Sequence, residues 1–256
     1  MTSHRLDVAL PGGARARVLF TGRGSAGSGG SSRSPYAFAN LASHVGDAPE
    51  AVSANRSALA GALGVPAAAM TFMHPDHGRG VAWVCAPTGV RPGAELQAVD
   101  ALVTDQPGVG LVALAADCVP VILVDPEAGV VSAVHCGWRG LVVDVVGAAV
   151  AEMTSTGAHR QRVQAFLGPA ICPDCYPVPA ARADQVAEVN AAAVTTAGDG
   201  QPALDLRAGL TARLAELGIA SSLIGGCTAQ DPALFSYRRE GRTGRQGGAV
   251  AIVAAA

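Results

Sequence analysis

One stretch of the chain places thiol, imidazole, carboxylate and guanidinium groups within reach of each other. Residues 115 to 140 read AADCVPVILVDPEAGVVSAVHCGWRG. Cys118 follows Asp117, and His135 and Cys136 precede Gly137-Trp138-Arg139-Gly140. A thiolate is a nucleophile or a soft metal ligand, and an imidazole is a base or a ligand. Two Val/Ile-rich runs, 119–124 and 130–134, flank Asp125-Pro126-Glu127-Ala128-Gly129. Short β-branched runs bounded by Pro and Gly predict two strands joined by a tight connection. Paired as a hairpin, they set Cys118 at one open end across from His135 and Cys136 at the other. Cys118 and His135 share a face if the loop holds an even number of residues, or if either lies just off the ladder.

Three readings of this pair stand open. Cys118 can be a small buried hydrophobe and His135 a hydrogen-bonded core histidine. The two can be metal ligands, with His77 or His74 of His74-Pro75-Asp76-His77-Gly78 as a third and one position left for water or substrate. Or His135 can deprotonate Cys118 in a metal-free nucleophilic site. A second thiol pair, Cys172-Pro173-Asp174-Cys175, has the spacing of zinc or redox motifs, but no second CxxC or His pair completes a structural zinc site.

The elements that must hold these residues follow from periodicity and punctuation. Strands are predicted at 14–20, 81–85, 99–104, 109–115, 163–167, 223–226 and 249–253, and 70–73 is a short apolar run. A helix is predicted from a cap at Asp47, through Pro49 and Glu50, to about Leu63, closed by Gly64 and Pro66. Further helices are predicted at 141–153, 180–193 and 205–217, the last capped by Asp205 and closed by Gly218. The Gly/Ser-rich stretch 22–34 reads as a surface loop, or as a lid whose glycines let backbone N–H groups approach an anion. No repeat or interdomain linker interrupts the chain. One α/β domain over 1–256, a mixed sheet flanked by helices, is the expected architecture.

Composition bounds the function. Half of the 256 residues are hydrophobic and the net charge is −2, which gives no electrostatic basis for nucleic acid or an anionic membrane as partner. The apolar stretch 109–124 is broken by Asp117 and Pro120 and is too short to span a bilayer. The start MTSHRLDVALPGG lacks the apolar segment of a signal peptide. A cytoplasmic location is expected, in which the six cysteines are free thiols or ligands.

The central stretch resembles the signature of the YfiH-type family, also described as multicopper polyphenol oxidase or laccase-domain proteins. Its pattern is Thr-Ala-Asp-Cys-x-Pro-Val followed by Val-His-Ala-Gly-Trp-Arg-Gly. The likeness extends through Asn40-Leu41, His44-Val45-Gly46-Asp47, His77-Gly78, Leu167-Gly168-Pro169, Asp205-Leu206, Cys227-Thr228, Phe235-Ser236-Tyr237-Arg238-Arg239 and Thr243-Gly244-Arg245. The resemblance implies a layered α/β sandwich similar to cysteine hydrolases of the cytotoxic necrotizing factor type. It implies metal ligands at His77, Cys118 and His135, holding zinc, with copper as the alternative. It also implies purine nucleosides and phosphate as substrates, in phosphorolysis of adenosine, inosine, guanosine or methylthioadenosine, and deamination of adenosine. Arg23, Asn40, Arg139 and Arg238 are then candidates for holding substrate, and Asp117 for orienting a ligand or moving a proton. The alternatives are a copper-dependent oxidoreductase acting on phenols and a metal-free Cys–His hydrolase. The chain departs from the family pattern in Pro75-Asp76, where the family has Gln-Val, in its longer Gly/Ser stretch, and in Cys136, which replaces the common Ala.

Overall fold

A computed structural model describes residues 2–25 and 30–254 of the protein. Its strands begin with β1 (Thr2–Ala9), β2 (Arg15–Thr21), β3 (Met70–Phe72), β4 (Val81–Trp83), β5 (Ala101–Thr104) and β6 (Gly110–Ala115). They continue with β7 (Val119–Asp125), β8 (Val130–Cys136), β9 (Gln164–Leu167), β10 (Val194–Thr196), β11 (Pro202–Leu204), β12 (Ala220–Leu223) and β13 (Gln246–Val253). The helices are α1 (Pro49–Leu63), α2 (Trp138–Val142), α3 (Val145–Ser155), α4 (Ala180–Ala187), α5 (Leu206–Glu216) and α6 (Tyr237–Glu240).

The apolar strands make two mixed sheets, ordered β1-β2-β13-β6-β3 and β12-β9-β7-β8-β5-β4, beside a small β10-β11 ribbon. Every residue of β7 and β8 is buried, which explains why their sequences run apolar without alternation. On one face Ile122, Val124, Val131 and Ala133 pack with Val18, Phe20, Ala113 and Val250 of the other sheet. On the opposite face Val121, Leu123 and Val134 pack with Val145, Ala149 and Met153 of α3 and with Leu210 and Leu214 of α5. Leu59 and Leu63 of α1 cover the outer face of the five-stranded sheet. The result is a helix–sheet–sheet–helix sandwich, each fully buried Val, Leu or Phe contributing about 1.5–3 kcal/mol relative to exposure.

Several boundaries depart from expectation for identifiable reasons. The helix expected over 141–153 breaks at Asp144, which takes φ 56° and caps α3 by accepting from the Gly147 N–H. Its carboxylate also holds Arg213 of α5 at 2.7 and 3.0 Å. Asp47 does not cap α1, whose N-cap is Ala48 without a side-chain bond; one Asp47 oxygen accepts from Asn40 instead, at 2.9 Å. Asp205 does cap α5, through Ala208 N at 2.9 Å. The helix expected over 180–193 ends at Ala187, the strand expected at 223–226 lies at Ala220–Leu223, and β1 was not anticipated. Within the Gly/Ser stretch 22–34, residues 26–29, and with them the question of a lid, lie outside the described residues. Among the described residues no helix is long and apolar enough to cross a membrane.

Candidate metal centre and substrate cavity

The β7–β8 register pairs Asp125 with Val130 and Pro120 with His135, so the connecting loop holds the four residues 126–129. An even loop settles the parity. Cys118, two residues before Pro120, falls on the face of His135. Cys136 falls on the other face, in the core with Leu141 and Val145. Burial, followed by the charge of Cys118, pushes its thiol well above the ordinary value, and its sulfur is not among the ligand atoms grouped at the centre. Gly137 is required by space: a Cβ there would stand 2.8 Å from Cys118 Sγ and 3.3 Å from His77 Cδ2.

His77 completes a group whose ligand atoms all lie within 4.8 Å of one another: His77, Cys118 and His135. Its ring meets that of His135 edge-on at 4.8 Å, and its Nε2 lies 4.0 Å from Cys118 Sγ. Asp100, just ahead of β5 and fully buried, builds this arrangement. Its Oδ1 is 2.8 Å from His135 Nδ1 and accepts the His77 N–H at 3.0 Å. Its Oδ2 accepts the N–H groups of Asp76 at 3.2 Å and Gly78 at 2.7 Å. One carboxylate therefore fixes both histidines. Tying up Nδ1 leaves His135 its Nε2 for a ligand, the orientation that carboxylate partners impose on metal-binding histidines. These bonds also hold His77 at φ 57°, a conformation that costs about 1–3 kcal/mol in a non-glycine residue. His74 stays outside the group, its Nδ1 2.8 Å from Gln97 Oε1 and its ring 4.7 Å from that of His44.

The two histidines and one thiol form a donor set that suits zinc or copper with a position left open. Without metal the same groups make an ion pair. Burial opposes the Cys118 thiolate, but the charge and hydrogen bonds of His135, with help from His77, bring its pKa down to about 6. Burial likewise opposes the His135 cation, while the Cys118 charge and the Asp100 hydrogen bond raise it to about 9. In protein stripped of metal, Cys118 is expected to react with iodoacetamide along a titration curve centred near pH 6, because the thiolate is the reactive form. Removing the cation by His135→Gln is expected to move that midpoint up toward the ordinary thiol value, as mass spectrometry of the alkylated peptide reads directly.

Around this group lies a cavity of about 500 Å³, in the range of sites that enclose a small molecule. Its lining includes His44, Tyr176, Arg182, Tyr237, Arg238 and Arg245. Asp117 lines it too, at φ 88°, but its carboxylate is committed: Oδ1 accepts from Thr228 Oγ1 at 2.6 Å and Oδ2 from Arg238 N at 2.7 Å. The structure thus gives Asp117 the work of tying the start of α6 to the Cys118 turn, in place of a free proton carrier. Arg238 lies over the Tyr176 ring at 5.0 Å and donates to Pro177 O at 3.2 Å.

The other sequence candidates lie elsewhere. Arg23 is not a cavity residue; its guanidinium bonds to Glu240 and lies over Phe235 at 4.7 Å. Arg139 is exposed on α2, over Trp138 at 4.8 Å. Asn40 is fully buried, and its Oδ1 accepts the N–H groups of Ala42 and Arg245 at 3.0 and 2.9 Å. It therefore positions Arg245 and does not contact the cavity. Arg245, Arg182, Tyr176 and Asp100 escaped the sequence reading. Only Asp100, an acid set directly before an apolar strand, carried a local signal. His44, beside His74 and Arg245, is brought down to about 4 by burial and those neighbours, so its ring is neutral near pH 7.

Known proteins share this arrangement of chain. A family model described as multi-copper polyphenol oxidoreductase laccase matches residues 17–253. Purine nucleoside phosphorylase SCO2081 of Streptomyces coelicolor is 47% identical over 87% of the chain and 91% of its own length. Adenosine deaminase RL5, from an unknown prokaryotic organism, is 36% identical over 75% of the chain and 76% of its own. The crystal structure of the Bacillus licheniformis hypothetical protein YfiH superposes with a TM-score of 0.83 at 27% identity, covering 92% of each chain.

Proposed function

The chain belongs to the multi-copper polyphenol oxidoreductase laccase family, the YfiH group, and from that membership we propose that it is a purine nucleoside phosphorylase that also deaminates adenosine. The observation that carries this reading is the His77–Cys118–His135 group lining one cavity with Arg182, Arg238 and Arg245. Relatives named for both activities support it.

Phosphorolysis joins a phosphate oxygen to ribose C1′ and breaks the bond from C1′ to the purine nitrogen, the base leaving with the electron pair and taking up a proton. Guanidinium groups are the side chains best matched to phosphate, which they bind through paired N–H donors. Arg245 is the strongest candidate. It is half-buried, its backbone N–H is fixed by Asn40, and its Nη1 is fixed by the carbonyls of Thr243 and Gly244, both at 3.0 Å. Tyr176 and Tyr237 line the cavity with Arg238 and Arg245 over their rings at 5.0 and 5.9 Å, and a purine stacked on a remaining ring face would gain about 1–3 kcal/mol per base. His77, Cys118 and His135 would hold zinc, with copper the alternative. When bound, the ion supplies Lewis-acid chemistry for hydrolysis at the adenosine amino group. Asp100 keeps the histidines oriented toward it throughout.

Copper-dependent oxidation of phenols is the second reading, favoured by the His2Cys donor set, which single-copper electron-transfer sites also use. A laccase array of several coppers has no counterpart in the sequence, which lacks any His-X-His. The metal-free hydrolase rests on the Cys118–His135 ion pair alone.

Chromatography of reactions containing adenosine, with and without phosphate, decides among these. The expected result is free purine base that requires phosphate, together with phosphate-independent inosine. Unchanged adenosine in every tube, with turnover of a phenol, would replace the proposal with the copper reading.

A further inference from the structure

A second group of thiols lies apart from the His77–Cys118–His135 centre. Cys172 and Cys175 sit on the turn that follows β9, and Cys227 on the segment after β12. The parallel pairing of β9 with β12 continues past both strands as a bridge between Ala170 and Cys227. Hydrogen bonds from Ala170 N to Gly226 O at 3.3 Å and from Thr228 N to Ala170 O at 3.1 Å hold the two segments side by side. The three sulfurs thereby come within 4.8 Å of one another, all as free cysteines.

Packing alone does not account for the group. Cys172 and Cys175 are only half-buried, where a small apolar side chain gains little. The Cys227 sulfur also receives the backbone N–H of Cys172, at 3.2 Å. A neutral thiol is a weak acceptor. A backbone N–H directed at the sulfur suits a thiolate, and hydrogen bonds to sulfur are how proteins tune thiolate metal sites.

We propose that Cys172, Cys175 and Cys227 form a second site for a thiophilic d10 metal ion, zinc being the form tested. Soft thiolates select such ions, and three protein ligands leave a fourth position for water. Binding releases the thiol protons to solvent. The ion would staple two segments that serve the cavity. Tyr176, next to Cys175, lines it, and Thr228, next to Cys227, holds Asp117 at 2.6 Å.

The test counts zinc per chain in full-length protein purified under reducing, anaerobic conditions and dialysed against Zn²⁺. The unmodified protein is expected to hold two ions, Cys118→Ala/His135→Ala one, and Cys172→Ser/Cys175→Ser one. Because a variant can fail to fold, the unmodified protein is also treated with N-ethylmaleimide before and after chelation. Zinc is expected to protect Cys172, Cys175 and Cys227, with exposed Cys85 as the reactive reference, and chelation to abolish the protection. A single zinc per chain that Cys118→Ala/His135→Ala loses and Cys172→Ser/Cys175→Ser keeps, two zincs retained by Cys172→Ser/Cys175→Ser, or loss of two of these thiols to a disulfide in place of zinc would overturn the proposal.

Discussion

Asp100→Asn is expected to weaken zinc binding at His77, Cys118 and His135 by about 10–100-fold, the usual cost of removing the partner that orients a metal-bound histidine. The reason is geometric. One carboxylate serves His135 Nδ1 and three consecutive N–H groups, of Asp76, His77 and Gly78. An Asn side chain keeps one carbonyl oxygen and turns an NH2 group toward donors, so at least one arm of the set is lost. His77, held at φ 57° by these bonds, is the ligand most exposed to that loss. Competition with a chromophoric chelator measures the affinity. Unchanged affinity in a folded variant would show that the two histidines are oriented without Asp100.

Arg245→Met is expected to lower kcat/KM for nucleoside phosphorolysis by roughly 10²–10³-fold, the effect of removing one preorganised charge from a reaction centre. Arg23→Met is the informative comparison. Arg245 belongs to a segment that resembles the family and Arg23 to the Gly/Ser stretch that departs from it, yet Arg23 is the sequence-based candidate. In the structure Arg245 lines the cavity together with Cys118, Asp117 and Tyr237, whereas Arg23 is spent on Glu240. Arg23→Met is therefore expected to leave kcat/KM within a few-fold and to lower thermal stability, since Glu240 loses an ion-pair partner and is left with Arg239 and Thr243 among the side-chain partners of the described residues. A saturation series in phosphate separates the two outcomes. Equal losses in both variants would contradict the placement of Arg245 as the phosphate-holding group.

The different fates of these residues show what a sequence can carry. The β7–β8 hairpin was legible because turn residues and β-branched runs are local signals, and its pairing brings Cys118 to His135 once the loop is known to hold four residues. The layers were legible as a class, α/β, since that depends on the succession of apolar periodicities. Residues delivered by tertiary packing were not legible. Arg182 comes from α4 and Arg245 from the segment before β13, and nothing in their neighbourhoods announces a shared cavity. Arg139 sits within the motif yet faces solvent, because α2 sends it over Trp138. Cys227 joins Cys172 and Cys175 only through the parallel alignment of β9 with β12, so a lone CxxC concealed a group of three. His77 over His74 followed from family resemblance, and the structure supplies the physical reason: Asp100 turns one histidine inward, while Gln97 holds the other.

The most direct test of the central claim compares inosine cleavage by the unmodified protein and by Cys118→Ala, in the presence of phosphate and zinc. Both proteins are first matched by circular dichroism and melting temperature. If the His77–Cys118–His135 centre is the seat of the reaction, the unmodified protein releases hypoxanthine and ribose 1-phosphate in equal amounts. Cys118→Ala would then be slower by roughly 10²–10³-fold or more. Equal rates from the two folded proteins would place the chemistry elsewhere and contradict the account.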